Sequence, residues 1–169
     1  MLISPMLGLI LGFKSKDRHY LRWMLVLFAT IYASTFSIEG IGDGTRHWQD
    51  VYDYYINLSF HQFSTDLSDI LLFRNNDEVN EDVYIHVLSY FTGRILGLPS
   101  LFFTFVGFIY GYFFAASMVK VFQFFPSPTK HFPYFIIAVY FIAILNLQSM
   151  NTVRTWTGFW VLFYATIQY

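Results

Sequence analysis

The chain has 169 residues, 12 % of them charged, 56 % hydrophobic and 22 % aromatic, with mean hydropathy +0.46 and a formal net charge of −1. Soluble domains carry about 25 % charged residues, so this composition excludes a disordered segment, a basic nucleic-acid binder and an ordinary water-soluble enzyme. With no cysteine there is no disulfide framework, thiolate zinc site or cysteine nucleophile, and the five histidines include no i, i+4 pair of the helical zinc type.

Uncharged runs longer than about 18 residues are candidate membrane spans. Met1 to Phe13 is apolar but short. It lacks a positive n-region and a small-residue cleavage site, so it reads as a partial or tilted first helix rather than a signal peptide. Lys14, Lys16, Arg18 and Arg22 follow, and a span is predicted over about residues 20–38, with Arg22 able to snorkel. Further spans are predicted over about 97–119, 132–150 and 152–169. A buried core helix is the alternative for any one run, but so many runs leave too little polar surface to coat a globule. Gly107, Gly111, Ala115 and Ala116 line one side of the 97–119 run and predict close helix packing. The last run is still apolar at Tyr169, which predicts further helices in a longer polytopic parent.

Charge placement predicts the orientation. The Lys14–Arg22 cluster and the turn bearing Lys120 and Lys130, around Pro126, Pro128 and Pro133, belong in the cytoplasm by the positive-inside rule. The loop 39–96 then lies outside and holds ten of the eleven carboxylates, opposed by Arg46, Arg74 and Arg94. Ser149 to Arg154 falls on the same outer side. Within the loop, Trp48, Val51, Tyr52 and Tyr55 form one helical stripe, and Val83, Val87, Phe91 and Ile95 a second. These predict two amphipathic helices at the outer interface, where Trp and Tyr are favoured, joined by a turn-rich connection over Ser64 to Asn80. The expected fold class is all-α: a polytopic transmembrane helical bundle with an amphipathic-helix extracytoplasmic loop, forming one membrane domain over 1–169.

Three outward clusters carry groups suited to chemistry. In Gly40-Ile41-Gly42-Asp43-Gly44-Thr45-Arg46-His47-Trp48, Asp43, Arg46 and His47 put an acceptor, a fixed cation and a titratable ring within one turn. A solvated turn with Asp43 as helix cap is the other reading. In Asn80-Glu81-Asp82-Val83-Tyr84-Ile85-His86, Glu81 or Asp82 suits a base or a sugar-hydroxyl ligand, although capping by Asp82 or Asn80 is the stronger reading. In Asn151-Thr152-Val153-Arg154, an arginine just inside an uncharged helix either snorkels or offers its fork to phosphate oxygens. No P-loop, Ser-His-Asp order or kinase signature occurs, and the outer loop has no Asp-x-Asp.

The order of these three clusters resembles the EpsG/Wzy-type family of polysaccharide polymerases, in its N-terminal half. The resemblance is carried by Gly42 to Trp48 followed by Val51-Tyr52-Asp53-Tyr54-Tyr55, by Glu81 to Tyr90 leading to Leu101-Phe102-Phe103, and by Asn151-Thr152-Val153-Arg154-Thr155. The chain departs from the pattern at Ser37-Ile38-Glu39 and at Trp156, Gly158 and Trp160.

The resemblance implies a membrane glycosyltransferase of the cytoplasmic membrane, active face outward, joining undecaprenyl-diphosphate-linked oligosaccharide repeats into O-antigen, capsule or exopolysaccharide. It implies no cofactor and no metal. Implied partners are the lipid-linked glycan, membrane lipid, a chain-length regulator and a flippase, with no nucleic acid. Asp43 and His47 are the candidates for the base, and Arg154, Arg46, Glu81 and Asp82 for substrate binding. A flippase of lipid-linked glycan, or a non-catalytic member of a polysaccharide assembly system, is the alternative.

Overall fold

A computed structural model of the chain describes residues 5–15, 17–35, 43–74, 82–123 and 153–168. Among the described residues every regular element is helical, with no strand. The predicted run 132–150 and Glu81 lie outside them.

The first helix, α1 (Pro5–Lys14), packs on α2 (Arg18–Ser34). Asp17 starts α2 by accepting from the backbone N–H of His19 at 2.8 Å and of Tyr20 at 3.4 Å, which satisfies two of the orphan donors of the first turn. The chain returns through α6 (Phe102–Gln123), entered by a short 3-10 turn at Pro99–Leu101. The last described helix is α7 (Val153–Ile167). One helix among the described residues is long and apolar enough to cross a membrane, Pro99–Val121, and the shorter Thr157–Ile167 is also apolar.

The contact between α2 and α6 is set by small residues. A Cβ on Gly107 would overlap the Cβ of Ala33, and one on Gly111 would lie 2.8 Å from the Cβ of Ala29. The predicted stripe therefore does pack helix on helix. Ala33 meets Gly107 and Val26 meets Gly111, so the two helices run antiparallel. Leu21, Leu25, Val26, Tyr110, Phe114, Ala115 and Met118 extend the seam, and Trp160 of α7 closes it, edge-on to Phe114 at 4.9 Å. Arg22 lies with its guanidinium 4.3 Å from the Tyr112 ring centroid, a cation–π contact between α2 and α6.

A cap of short helices covers the Phe102 end of α6. It comprises α3 (Asp43–Asp53), a 3-10 turn at Tyr55–Asn57, α4 (Phe60–Leu71) and α5 (Val83–Tyr90), which runs on into a π-helical turn at Phe91–Ile95. Val51 of α3 and Ile85 and Leu88 of α5 join Phe102, Phe103 and Val106 in a second apolar cluster. Tyr55, Leu58 and Tyr90, with Phe63 of α4 against them, form a third.

One expectation for this region is corrected. The segment expected to be a turn-rich connection from Ser64 holds most of α4. A capping box starts it, with Ser59 Oγ accepting from Gln62 N–H at 3.2 Å and Gln62 Oε1 accepting from Ser59 N–H at 3.4 Å. Phe63, facing His86 and Tyr90, then fixes α4 on α5. The second stripe, for its part, lies mostly on the outside of the cap. Val83, Val87 and Ile95 are exposed, whereas Ile85, His86, Leu88, Ser89 and Thr92 are buried.

The seam yields a stability test. Gly107→Ala forces α2 and α6 apart and is expected to cost about 1–3 kcal/mol, as overpacking typically does. Gly158→Ala, whose Cβ would meet nothing within 4 Å, is expected to be neutral or to stabilise by up to about 1 kcal/mol, since alanine is the better helix former. Thermal unfolding of both variants in one detergent checks the difference.

Candidate functional site

The described residues of the three sequence clusters fall on the cap and on the first turn of α7. Asp43 opens α3, and its side chain lies outside what the structure describes. Arg46 is exposed, while its neighbour His47 is buried, because successive helical positions point about 100° apart. One turn on, the Asp50 carboxylate comes within 4.0 Å of His47 Nδ1. Burial raises the Asp50 pKa above the usual carboxylate value, His47 and Arg46 oppose the rise, and Asp53 adds to it. Asp50, unlike His47, was not among the expected site residues. Its i, i+3 spacing is the signal for it.

Asp82 is the N-cap of α5. Its carboxylate accepts from the N–H of Tyr84 at 2.8 Å and of Ile85 at 3.4 Å, so the capping reading describes its position here. The side chain of Tyr84 then turns inward. Burial pushes its phenol up to about 12, with a smaller upward effect from Asp82, and the nearby Thr157 hydroxyl opposes the rise. Thr157 is itself buried on α7. The phenol oxygen nevertheless lacks a hydrogen bond of good geometry.

The contact of Tyr84 with Thr157 brings the start of α7 to the start of α5. The backbone of Arg154 lies one turn before Thr157, on the first turn of α7. Its side chain, like that of Glu81, lies outside the described residues. The backbone thus brings the start of α5 toward the first turns of α7, and the packing of Val51 on Ile85 sets α3 beside α5.

His86, at the end of the second sequence cluster, is fully enclosed. The His86 ring is sandwiched in aromatics, parallel to Phe63 at 4.9 Å and edge-on to Tyr55 at 5.4 Å, and Phe63 stacks in turn on Tyr90 at 4.0 Å. Its Nδ1 lies 2.8 Å from the Tyr55 hydroxyl, and its Nε2 lies 3.4 Å from the Phe63 carbonyl. Both contacts are met if the proton resides on Nε2 and Tyr55 O–H donates to Nδ1. Burial lowers the His86 pKa, and the Phe63 carbonyl and Asp66 charge oppose this. On the solvent side of the same aromatic group, Tyr54 O–H donates to Asp66 Oδ2 at 2.8 Å.

Among the described residues no three His, Asp or Glu side chains gather to hold a metal. Comparison with protein-family models, with curated proteins and with solved structures finds no match.

The enclosed imidazole makes stability pH-dependent. Because the folded value lies below the unfolded one of about 6.5, the unfolded chain binds more protons in the window just below that pH. Stability contributed by neutral His86 is therefore complete above that window and is lost as pH falls through it. The melting temperature is expected to fall between pH 7.5 and pH 5.5. His86→Gln, melting lower at pH 7.5 through lost packing, is expected to show a smaller fall.

Proposed function

We propose that the chain is a multi-pass protein of the bacterial cytoplasmic membrane. In this reading it belongs to a glycosyltransferase that polymerises undecaprenyl-diphosphate-linked oligosaccharide repeats on the outer face. The observation that carries this reading is the segregation of polar chemistry to one end of the helices. Arg46, His47, Asp82 and the first turn of α7 sit at the Phe102 end of α6, whereas Arg18, Arg22 and Lys120 lie toward the opposite end of the antiparallel α2–α6 pair. Basic residues on one side and an acidic, aromatic cap on the other are what the positive-inside rule expects of an outward-facing site. The exposed positions Leu27, Ile31, Phe108, Phe159 and Leu162 add an apolar exterior suited to lipid.

In this reaction a hydroxyl of the acceptor glycan attacks the anomeric carbon of the donor. The new C–O bond forms as the bond to the diphosphate breaks, and the electron pair leaves with the lipid diphosphate. Arg154, with Arg46 beside the cap, would neutralise the charge that develops there, as a fixed guanidinium can without a metal. Asp43 or His47 would take the hydroxyl proton. Charges placed at helix ends rather than at mid-helix favour chemistry at the membrane surface over transport through it.

Replacement of Arg154 by alanine in cells tests the assignment. Loss of one such contact slows group transfer by about a hundredfold, so single repeats on lipid are expected to accumulate on the outer face while long polymer disappears. A normal chain-length distribution at equal protein level would refute the role. Repeats trapped on the inner face would identify a flippase instead.

A further inference from the structure

The helix α4 rests on the cap without entering it. None of its 12 residues is buried, and Phe60 at its start and Leu71 at its end stand exposed. It reaches the core through Phe63, whose ring lies flat on His86 at 4.9 Å and on Tyr90 at 4.0 Å. The Phe63 carbonyl faces His86 Nε2, and Asp66 accepts from the Tyr54 hydroxyl. What lies beneath is closed: Tyr55, Leu58, His86 and Tyr90 are all buried. A helix docked through so few contacts is drawn from the low-stability end of a fold, where local opening is least costly.

The ring under this helix has a titratable state that the docked arrangement disfavours. Neutral His86 donates from Nε2 to the Phe63 carbonyl and accepts at Nδ1 from Tyr55. On protonation both nitrogens become donors, so the Tyr55 hydroxyl must turn round to accept. The charges nearby give limited help. Asp66 on α4 favours the imidazolium. Asp82, one turn earlier on α5, is engaged as the helix cap, and Arg94 of the π turn donates to the Ile56 carbonyl. The sides of α3 and α6 packed on α5 are apolar, with Val51, Phe102, Phe103 and Val106. Burial outweighs Asp66, so the imidazolium is stabler where the ring meets water. Of the walls around it, α4 is the one whose removal leaves both larger apolar clusters intact.

We propose that α4 is a proton-operated cover: when His86 takes up a proton, α4 lifts from α5 and opens the aromatic floor of Tyr55, His86 and Tyr90 to solvent. The cover is shut at neutral pH and opens in mild acid. It does not depend on the polymerase reading, since every group in it lies on the cap and none is assigned to that reaction.

Hydrogen exchange of the full chain in lipid nanodiscs, corrected for the intrinsic rate at each pH, reads the opening. Between pH 7.5 and pH 5.5 the amides of 63–72 are expected to lose protection by up to about tenfold, the limit for one proton taken up by a histidine that titrates near 6.5 once exposed. Those of α2 and α6 are expected to keep theirs. His86→Gln is expected to abolish the pH dependence. Asp66→Asn removes the charge that favours the covered imidazolium, so it is expected to enlarge the acid response. Loss of a docking contact alone would act equally at every pH, so this variant decides the matter should His86→Gln fail to fold. Equal protection of α4 at the two pH values in wild type overturns the proposal. So does the same acid loss in a folded His86→Gln variant, an unchanged acid response in Asp66→Asn, or a parallel loss across α2 and α6.

Discussion

The close approach of α2 and α6 is the constraint on which the remaining geometry depends. Where Gly107 and Gly111 meet Ala33, Ala29 and Val26, backbone comes against backbone, with no side chain between. Such a contact has one register, because a slip of either helix would drive a methyl group into a main chain. That register fixes the antiparallel sense, places Trp160 of α7 against Phe114, and sets the cap of short helices over the Phe102 end. In the lipid setting proposed here the contact matters more than it would in water. Apolar side chains gain little by leaving lipid for one another, so association depends on packing of this kind.

The cap follows a different rule from that of a soluble helix. His86, Ser89 and Thr92 succeed one another every three residues and are all buried, while Val83, Val87 and Ile95 face out. Thr92 is provided for locally, its hydroxyl donating to the Leu88 carbonyl at 2.9 Å where the helix widens into its π turn. His86 is provided for by Tyr55 and Phe63. Polar groups thus turn inward beside Ile85, Leu88 and Tyr90, while valines turn outward.

This inversion also explains what the sequence did and did not give away. Hydrophobic period and small-residue spacing survive in any solvent, so the all-helical character, α2, α6, α7 and the Gly107–Gly111 contact were readable from residue order alone. The direction of the α5 stripe was not, because period says which residues share a face and not what that face meets. The helix α4 hid behind its composition. Its serines, threonine and aspartates resemble a connection, and only the pairing of Ser59 with Gln62 announces a start. Among the candidate site residues, Asp82 was recognisable as a cap. The enclosure of His86 depends on Tyr55 and Phe63, 31 and 23 residues away in sequence, a distance that no local pattern spans.

Burial also bears on which group can move a proton in the proposed reaction. A base must meet solvent or substrate in its deprotonated form and tolerate the charge that follows. His86 is neutral but walled by Tyr55 and Phe63, and acquiring a charge there is opposed by the burial that lowers its pKa. Tyr84 is held in the opposite state, a phenol that keeps its proton and can only assist as a donor. Both are positioned to shape a site and unsuited to accept a proton in it. His47 differs from His86 in having a carboxylate of its own helix, Asp50, 4.0 Å from its Nδ1, with burial raising the Asp50 pKa above its usual value. Between His47 and His86, the Asp50 carboxylate therefore makes His47 the better suited to the general-base role proposed above.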